Sequence, residues 1–182
     1  MDAAEIIQII ERGAQAYFNG LLQEVRANLG TTYYRRLSNE ELTHRMTLVY
    51  KGLENWLVKP DEAAVQRAGE GLGKLRFNES IPIGQVVLSL LLEEKYLRKY
   101  FTDQGAALEG NWSTSVSDYF RRLIYAVAQG YEAELAHSNR MALGNVPVEH
   151  HPHHEPHPVL EPEESPGDVQ ISRAGDIGEV SG

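Results

Sequence analysis

The chain has no cysteine. Disulfides, thiol catalysis and zinc–thiolate centres are therefore excluded. It has no basic excess either: 17 Lys and Arg stand against 26 Asp and Glu, a net charge of −9. Long hydrophobic runs are also missing. The most apolar stretch, 81–92, is only 12 residues long and already contains Gly84 and Gln85. That is too short to cross a bilayer, so no membrane insertion is expected. The opening residues Met1-Asp2-Ala3-Ala4-Glu5 lack the basic region of a signal peptide, which points to the cytoplasm. Nowhere do β-branched residues alternate with polar ones over a sustained stretch, so no sheet is expected.

What is present is distributed unevenly. The 38 residues after Gly144 contain no aromatic side chain, six of the eight prolines and five of the seven histidines. They carry eight acids against one base, a net −7, which leaves −2 for residues 1–144. About 144 residues suit one domain. Two regions are expected: a folded domain over 1–144, and a His-, Pro- and acid-rich tail over 145–182 with too little apolar surface to offset the entropy of ordering it. A near-neutral domain with an acidic tail lacks the basic face that phosphates require, so nucleic acid is not expected as a partner.

Within 1–144 the apolar residues keep helical spacing. Ile6, Ile10, Ala14, Tyr17, Leu21 and Val25 mark one face of a helix over 2–29, with Gly30 placed for a left-handed cap. Residues 31–37 predict a short turn. Ser38 and Glu41 have the spacing of a capping box ahead of a helix carrying Leu42, Met46, Val49, Leu53 and Trp56, which stops before Pro60. Asp61 caps the next helix, with Val65, Ala68, Leu72 and Leu75. Ser80 and Pro82 open a fourth, apolar on nearly all sides from Val86 to Leu92 and so expected at the centre. A fifth begins at 113–117, carries Phe120, Leu123, Val127, Tyr131 and Leu135, and ends before Gly144. The fold class expected is all-α: a single bundle of about five main helices, some of them broken, with short connections and antiparallel neighbours.

No catalytic motif stands out. Gly69-Glu70-Gly71-Leu72-Gly73-Lys74 superficially suggests a phosphate loop, but a P-loop needs glycine where Ala68 stands and Ser or Thr where Leu75 stands. No strand precedes it, as a dinucleotide fingerprint requires. Close helix–helix approach or a local break explains the glycines, and a small-ligand contact is the other reading. Glu93 and Glu94 point about 100° apart on their helix and are expected to ion-pair with Arg98, Lys99 or a neighbouring helix. His44 and His137, the histidines of the folded part, lie on separate predicted helices. Either is a surface histidine or, in a globin-like domain, a haem ligand. No second histidine lies three or four residues from either. No Ser-His-Asp set can be nominated, and the chain is not expected to be an enzyme.

The densest chemical cluster lies in the tail. His150, His151, His153, His154 and His157, with Glu155, place five imidazoles and a carboxylate within eight residues. Such a segment can chelate Ni²⁺, Cu²⁺ or Zn²⁺, or serve only as a soluble linker. Farther on, Val169, Ile171, Ile177 and Val180 are spaced as a short docking segment for a partner, or belong to an idle end.

The stretch from Trp56 to Phe101 carries one more pattern. It contains Leu72-Gly73-Lys74-Leu75-Arg76-Phe77-Asn78-Glu79-Ser80-Ile81-Pro82-Ile83-Gly84-Gln85-Val86-Val87, then Leu90-Leu91-Leu92 and Tyr96-Leu97. A helix ending in a glycine-to-arginine segment, a short polar turn, a proline helix entry and a long apolar helix together resemble the amino-terminal domain of the RsbR/RsbRD-type co-antagonists of the kinase RsbT. The resemblance covers roughly residues 5–140. It implies a non-catalytic bacterial input domain that communicates through helix packing, in some relatives with a globin-like fold that holds no haem. In those proteins a phosphorylatable STAS domain follows. The 38 residues after Gly144 cannot supply one, so scaffolding and kinase-substrate roles are not carried over. The function expected is therefore that of a cytoplasmic regulatory or sensor domain working through a protein partner or a homodimer, with an exposed apolar strip on the first or last helix. A ligand- or haem-binding globin-like sensor and a metal-binding protein acting through its tail remain open. Beyond haem or a divalent transition metal, no cofactor is implied.

Overall fold

A computed structural model describes residues 3–106 and 111–144. The tail, with its expected disorder, histidine cluster and docking segment, lies outside the described residues. The described chain is all-α, with six α-helices and one 3-10 turn and no strand among the described residues.

The helix expected over 2–29 is two helices, α1 (Ala3–Arg12) and α2 (Ala14–Ala27). The break falls at Gly13, where a Cβ would stand 2.0 Å from the Tyr100 hydroxyl. A tyrosine from a later helix thus occupies the space that a side chain at 13 would need. The predicted apolar face is otherwise correct: Ile6, Ile10, Tyr17, Leu21 and Val25 are buried. Gly30 is not a left-handed cap. The backbone turns out of the helix at Asn28, whose side-chain oxygen accepts from the Gly30 amide at 2.8 Å. An added Cβ at 30 would lie 2.4 Å from Leu88 Cδ2, so a side chain there would have to displace the end of that leucine. The 3-10 turn Thr32–Arg36 follows, in the segment predicted to turn.

Helix α3 (Asn39–Val58) opens with half of the predicted capping box. The Glu41 amide donates to Ser38 Oγ at 3.0 Å, but the Glu41 carboxylate turns instead to Arg45 at 2.6 Å. Asp61 caps α4 (Glu62–Asn78), accepting from the Ala64 amide at 2.9 Å. Helix α4 ends in a Schellman motif: Ser80 takes the left-handed position at φ 58°, its amide reaches the Phe77 carbonyl, and the Ile81 amide reaches that of Arg76.

Helix α5 (Ile83–Asp103) is the central one, as its apolar run predicts. It packs against α2, α4 and α6 and buries Val86, Leu90, Leu97 and Phe101. Helix α6 (Asn111–Gly144) runs alongside α4 in the same direction, from the Arg122–Glu62 ion pair to the edge-to-face rings of Tyr131 and Phe77. Between these ends the backbones come close. A Cβ on Gly73 would lie 2.1 Å from the Val127 carbonyl oxygen, and one on Gly130 would lie 2.1 Å from that of Glu70. This seam accounts for Gly69 and Gly73 of the glycine run: they permit helix–helix approach. Leu135, predicted on the core face of the last helix, is 45% exposed, because α6 has by then run past its partners.

Candidate functional site

The most perturbed carboxyl among the described residues is one expected from the sequence to ion-pair. Glu94 does pair: its carboxylate accepts from Arg98 at 3.2 Å and from Ser117 at 2.8 Å, joining α5 to α6. Glu93, turned about 100° away, points into the interior. It is 7% exposed and makes no ion pair and no side-chain hydrogen bond. With Tyr34, Met46, Arg76 and Ser89 it lines a cavity of about 20 Å³, room for one water molecule. Burial pushes the Glu93 carboxyl up to about 8, and the field of Arg76 offsets only part of that rise. Glu93 is therefore mostly a neutral acid at pH 7. Its neighbours are polar but uncharged on one side, where Ser89 Oγ and Tyr34 Oη are hydrogen-bonded at 3.2 Å.

On the other side lies an ionic layer. Arg45 of α3 binds Glu79 through two parallel bonds, both 2.9 Å, and Arg76 of α4 reaches the same carboxylate at 2.8 Å. Glu41 completes the set on Arg45. Burial alone would raise the Glu79 carboxyl, but the two guanidinium groups outweigh it and hold it below its ordinary value. Burial likewise works against the Arg45 charge, and its bonds to Glu79 and Glu41 overcome that and raise its pKa. Two cations thus meet two anions. The layer is balanced without Glu93, whose ionisation would add a negative charge with no cation left to take it.

Above this layer, toward solvent, α3 and α4 diverge and leave a groove of about 340 Å³, floored by Tyr119 and Leu123 of α6. Leu48 and Leu75, 56% and 50% exposed, form its two lips, and Gly71 lies between them. Arg45 and Arg76 belong to both the groove and the buried cavity. The groove continues past Gly52 and Ala68 into a second hollow of about 150 Å³ beside Trp56 and Lys59.

The residues nominated from sequence lie elsewhere. His44 on α3 and His137 on α6 are both exposed, and neither lines these cavities. A haem needs an apolar slot over its ligating imidazole, and neither of these exposed histidines lies beside one of these cavities. The histidines at 150, 151, 153, 154 and 157 lie outside the described residues. Among the described residues no cluster of three His, Asp or Glu could hold a metal ion, and no helix is long and apolar enough to cross a membrane. The exposed sides of α1 and α2, with Gln8, Glu11, Arg12, Gln15, Asn19 and Gln23, carry nothing apolar larger than alanine and supply no apolar strip. On the last helix Tyr125, Leu135 and Met141 are exposed, but at spacings of ten and six residues they do not fall on one face.

Compared with protein-family models, curated proteins and solved structures, the chain shows no match.

Proposed function

We propose that residues 3–144 form a non-catalytic regulatory module that acts through contact with another protein, in the manner that the resemblance to the RsbT co-antagonist input domains implies. One observation carries this reading: the strongly perturbed acid is buried, with only about 20 Å³ of free space beside it. A raised carboxyl in an open cleft suggests general acid chemistry. Glu93 has room beside it for a water molecule and no room for a substrate. Its position suits a different task. A neutral acid beside a closed ionic layer biases how α3, α4 and α5 pack, and small shifts between packed helices are how such bundles change state. The accessible surface above the layer is apolar, as a protein contact requires.

The test is to immobilise the full chain, pass the lysate of its source cells over it and identify what is retained, while light scattering measures the mass of the chain alone. A stoichiometric protein partner or a homodimer is the expected result. A monomer that retains no protein but carries a small molecule through purification would overturn the reading.

A further inference from the structure

Arg76 and Glu93 face one space. Both line the cavity of about 20 Å³, and both are more than nine-tenths buried. Neither has its hydrogen bonds filled. Arg76 donates from Nη1 to Glu79 at 2.8 Å, while its Nε and Nη2 have no partner among the described residues. Glu93 has no hydrogen-bond partner among them. The two hydroxyls that share the space, Ser89 and Tyr34, are bonded to each other at 3.2 Å, and each oxygen keeps a lone pair. The remaining neighbours offer nothing. Arg45 is filled by Glu41 and Glu79. Tyr17 of α2 and Tyr119 of α6 lie within the field of Glu93, but Tyr119 donates its hydroxyl to the Val49 carbonyl at 2.9 Å and Tyr17 makes no bond to the acid. Donors from α4 and acceptors from α5 and the 3-10 turn thus converge without meeting.

Buried polar groups left in that condition are costly, and native proteins keep few of them. A water molecule fits the space, and it needs about two to four polar partners, which the walls supply. An ion does not suit the charge. Arg45, Arg76, Glu41 and Glu79 sum to zero, so a cation or anion beside them would bury a net charge.

We propose that this space is a binding site for a single water molecule, which accepts a hydrogen bond from Arg76, donates one to the Glu93 carboxyl and so ties α4 to α5. Its second hydrogen goes to the oxygen of Ser89 or Tyr34. A bridging water serves nearly as well as a direct bond. It gives the buried acid a link to the ionic layer that no protein contact supplies. The site goes beyond the interaction reading and stands whether or not a partner protein binds the domain.

Crystals of the full chain grown near pH 6, diffracting well enough to place water, test it. One peak is expected about 3 Å from both a Glu93 oxygen and an Arg76 nitrogen. Glu93→Gln offers the same carbonyl and should keep the peak. Glu93→Met has a similar length and no such acceptor, and should lose it. Soaks in bromide and in rubidium should leave the peak unreplaced. In solution, the infrared difference between the native chain and Glu93→Gln isolates the carbonyl stretch of protonated Glu93. A hydrogen bond donated to that carbonyl weakens it, so the band should lie below that of monomeric acetic acid in an alkane.

No peak, a direct Arg76–Glu93 contact, a peak that bromide or rubidium replaces, or one that survives in Glu93→Met would each overturn the site. So would a Glu93 band at the frequency of the unbonded acid, a reading that needs neither a crystal nor the methionine variant.

Discussion

Glu93 sits where the helical register of α5 places it, three residues after Leu90 and four before Leu97, on the face that the bundle covers. The register was legible in the sequence, and extending it through Glu93 would have identified the buried acid. What the sequence could not supply was the partner set, because Tyr34, Arg76 and Ser89 meet there only through tertiary packing. The consequence can be measured. The unfolded chain releases the Glu93 proton near pH 4.3, whereas the folded chain keeps it up to about 8. Between those values the native state holds more protons than the unfolded state. Stability is greatest at the acid end of that window and falls as pH rises through it, by up to about 1.4 kcal/mol per pH unit. Urea titrations from pH 5 to 9 should show the decline in the native protein and little of it in Glu93→Gln, and a flat native profile would refute the account. Ser80 gives a second residue-scale outcome. Its left-handed backbone is strained for any side chain, so Ser80→Gly should raise stability by roughly 0.5–1 kcal/mol in the same titration.

Between elements, the glycine run of α4 divides by face. Gly73 lies against α6, while Gly71, two residues earlier and about 200° around the helix, has nothing within 4 Å of where a Cβ would stand. Gly71→Ala should therefore stabilise by up to about 1 kcal/mol through helix propensity alone. Gly73→Ala forces α4 and α6 apart and should destabilise by several kcal/mol. Opposite signs from the same substitution two residues apart, read as shifts of melting temperature, would establish the seam. A matching sign would remove it. The sequence anticipated close approach for these glycines but not which of them made it, since that depends on which side α6 occupies. The capping box shows the same limit. Ser38 behaved as its local spacing predicts, whereas Glu41 was drawn off by Arg45, which was itself fixed in place by Glu79 from another helix. Glu79 is the single carboxylate joining the ends of α3 and α4, so Glu79→Gln should cost about 2 kcal/mol by leaving two half-covered guanidinium groups short of an anion. Because its pKa is held below the ordinary value, the stability it contributes is present at neutral pH and is lost as pH falls below about 4.

Across the whole described domain, stability should be graded rather than uniform. Buried apolar residues run continuously from α2 through α5 to the first half of α6, and the α4–α6 seam lies within that region. The far end of α6 is different: from Leu135 to Ala142 every side chain is exposed. Its hydrogen bonds are therefore held only by the helix itself, and a segment of that length has little stability alone. Amide hydrogen exchange should divide α6 in two. The amides of 119–130 should exchange only through global unfolding, with protection equal to the full unfolding free energy. Those of 136–142 should exchange by local fraying, at least a hundredfold faster. Uniform protection along all of α6 would mean that something covers its distal turns, most simply a second protein chain. Because Leu135 and Met141 face different ways, such a cover would have to wrap the helix rather than lie along one side of it.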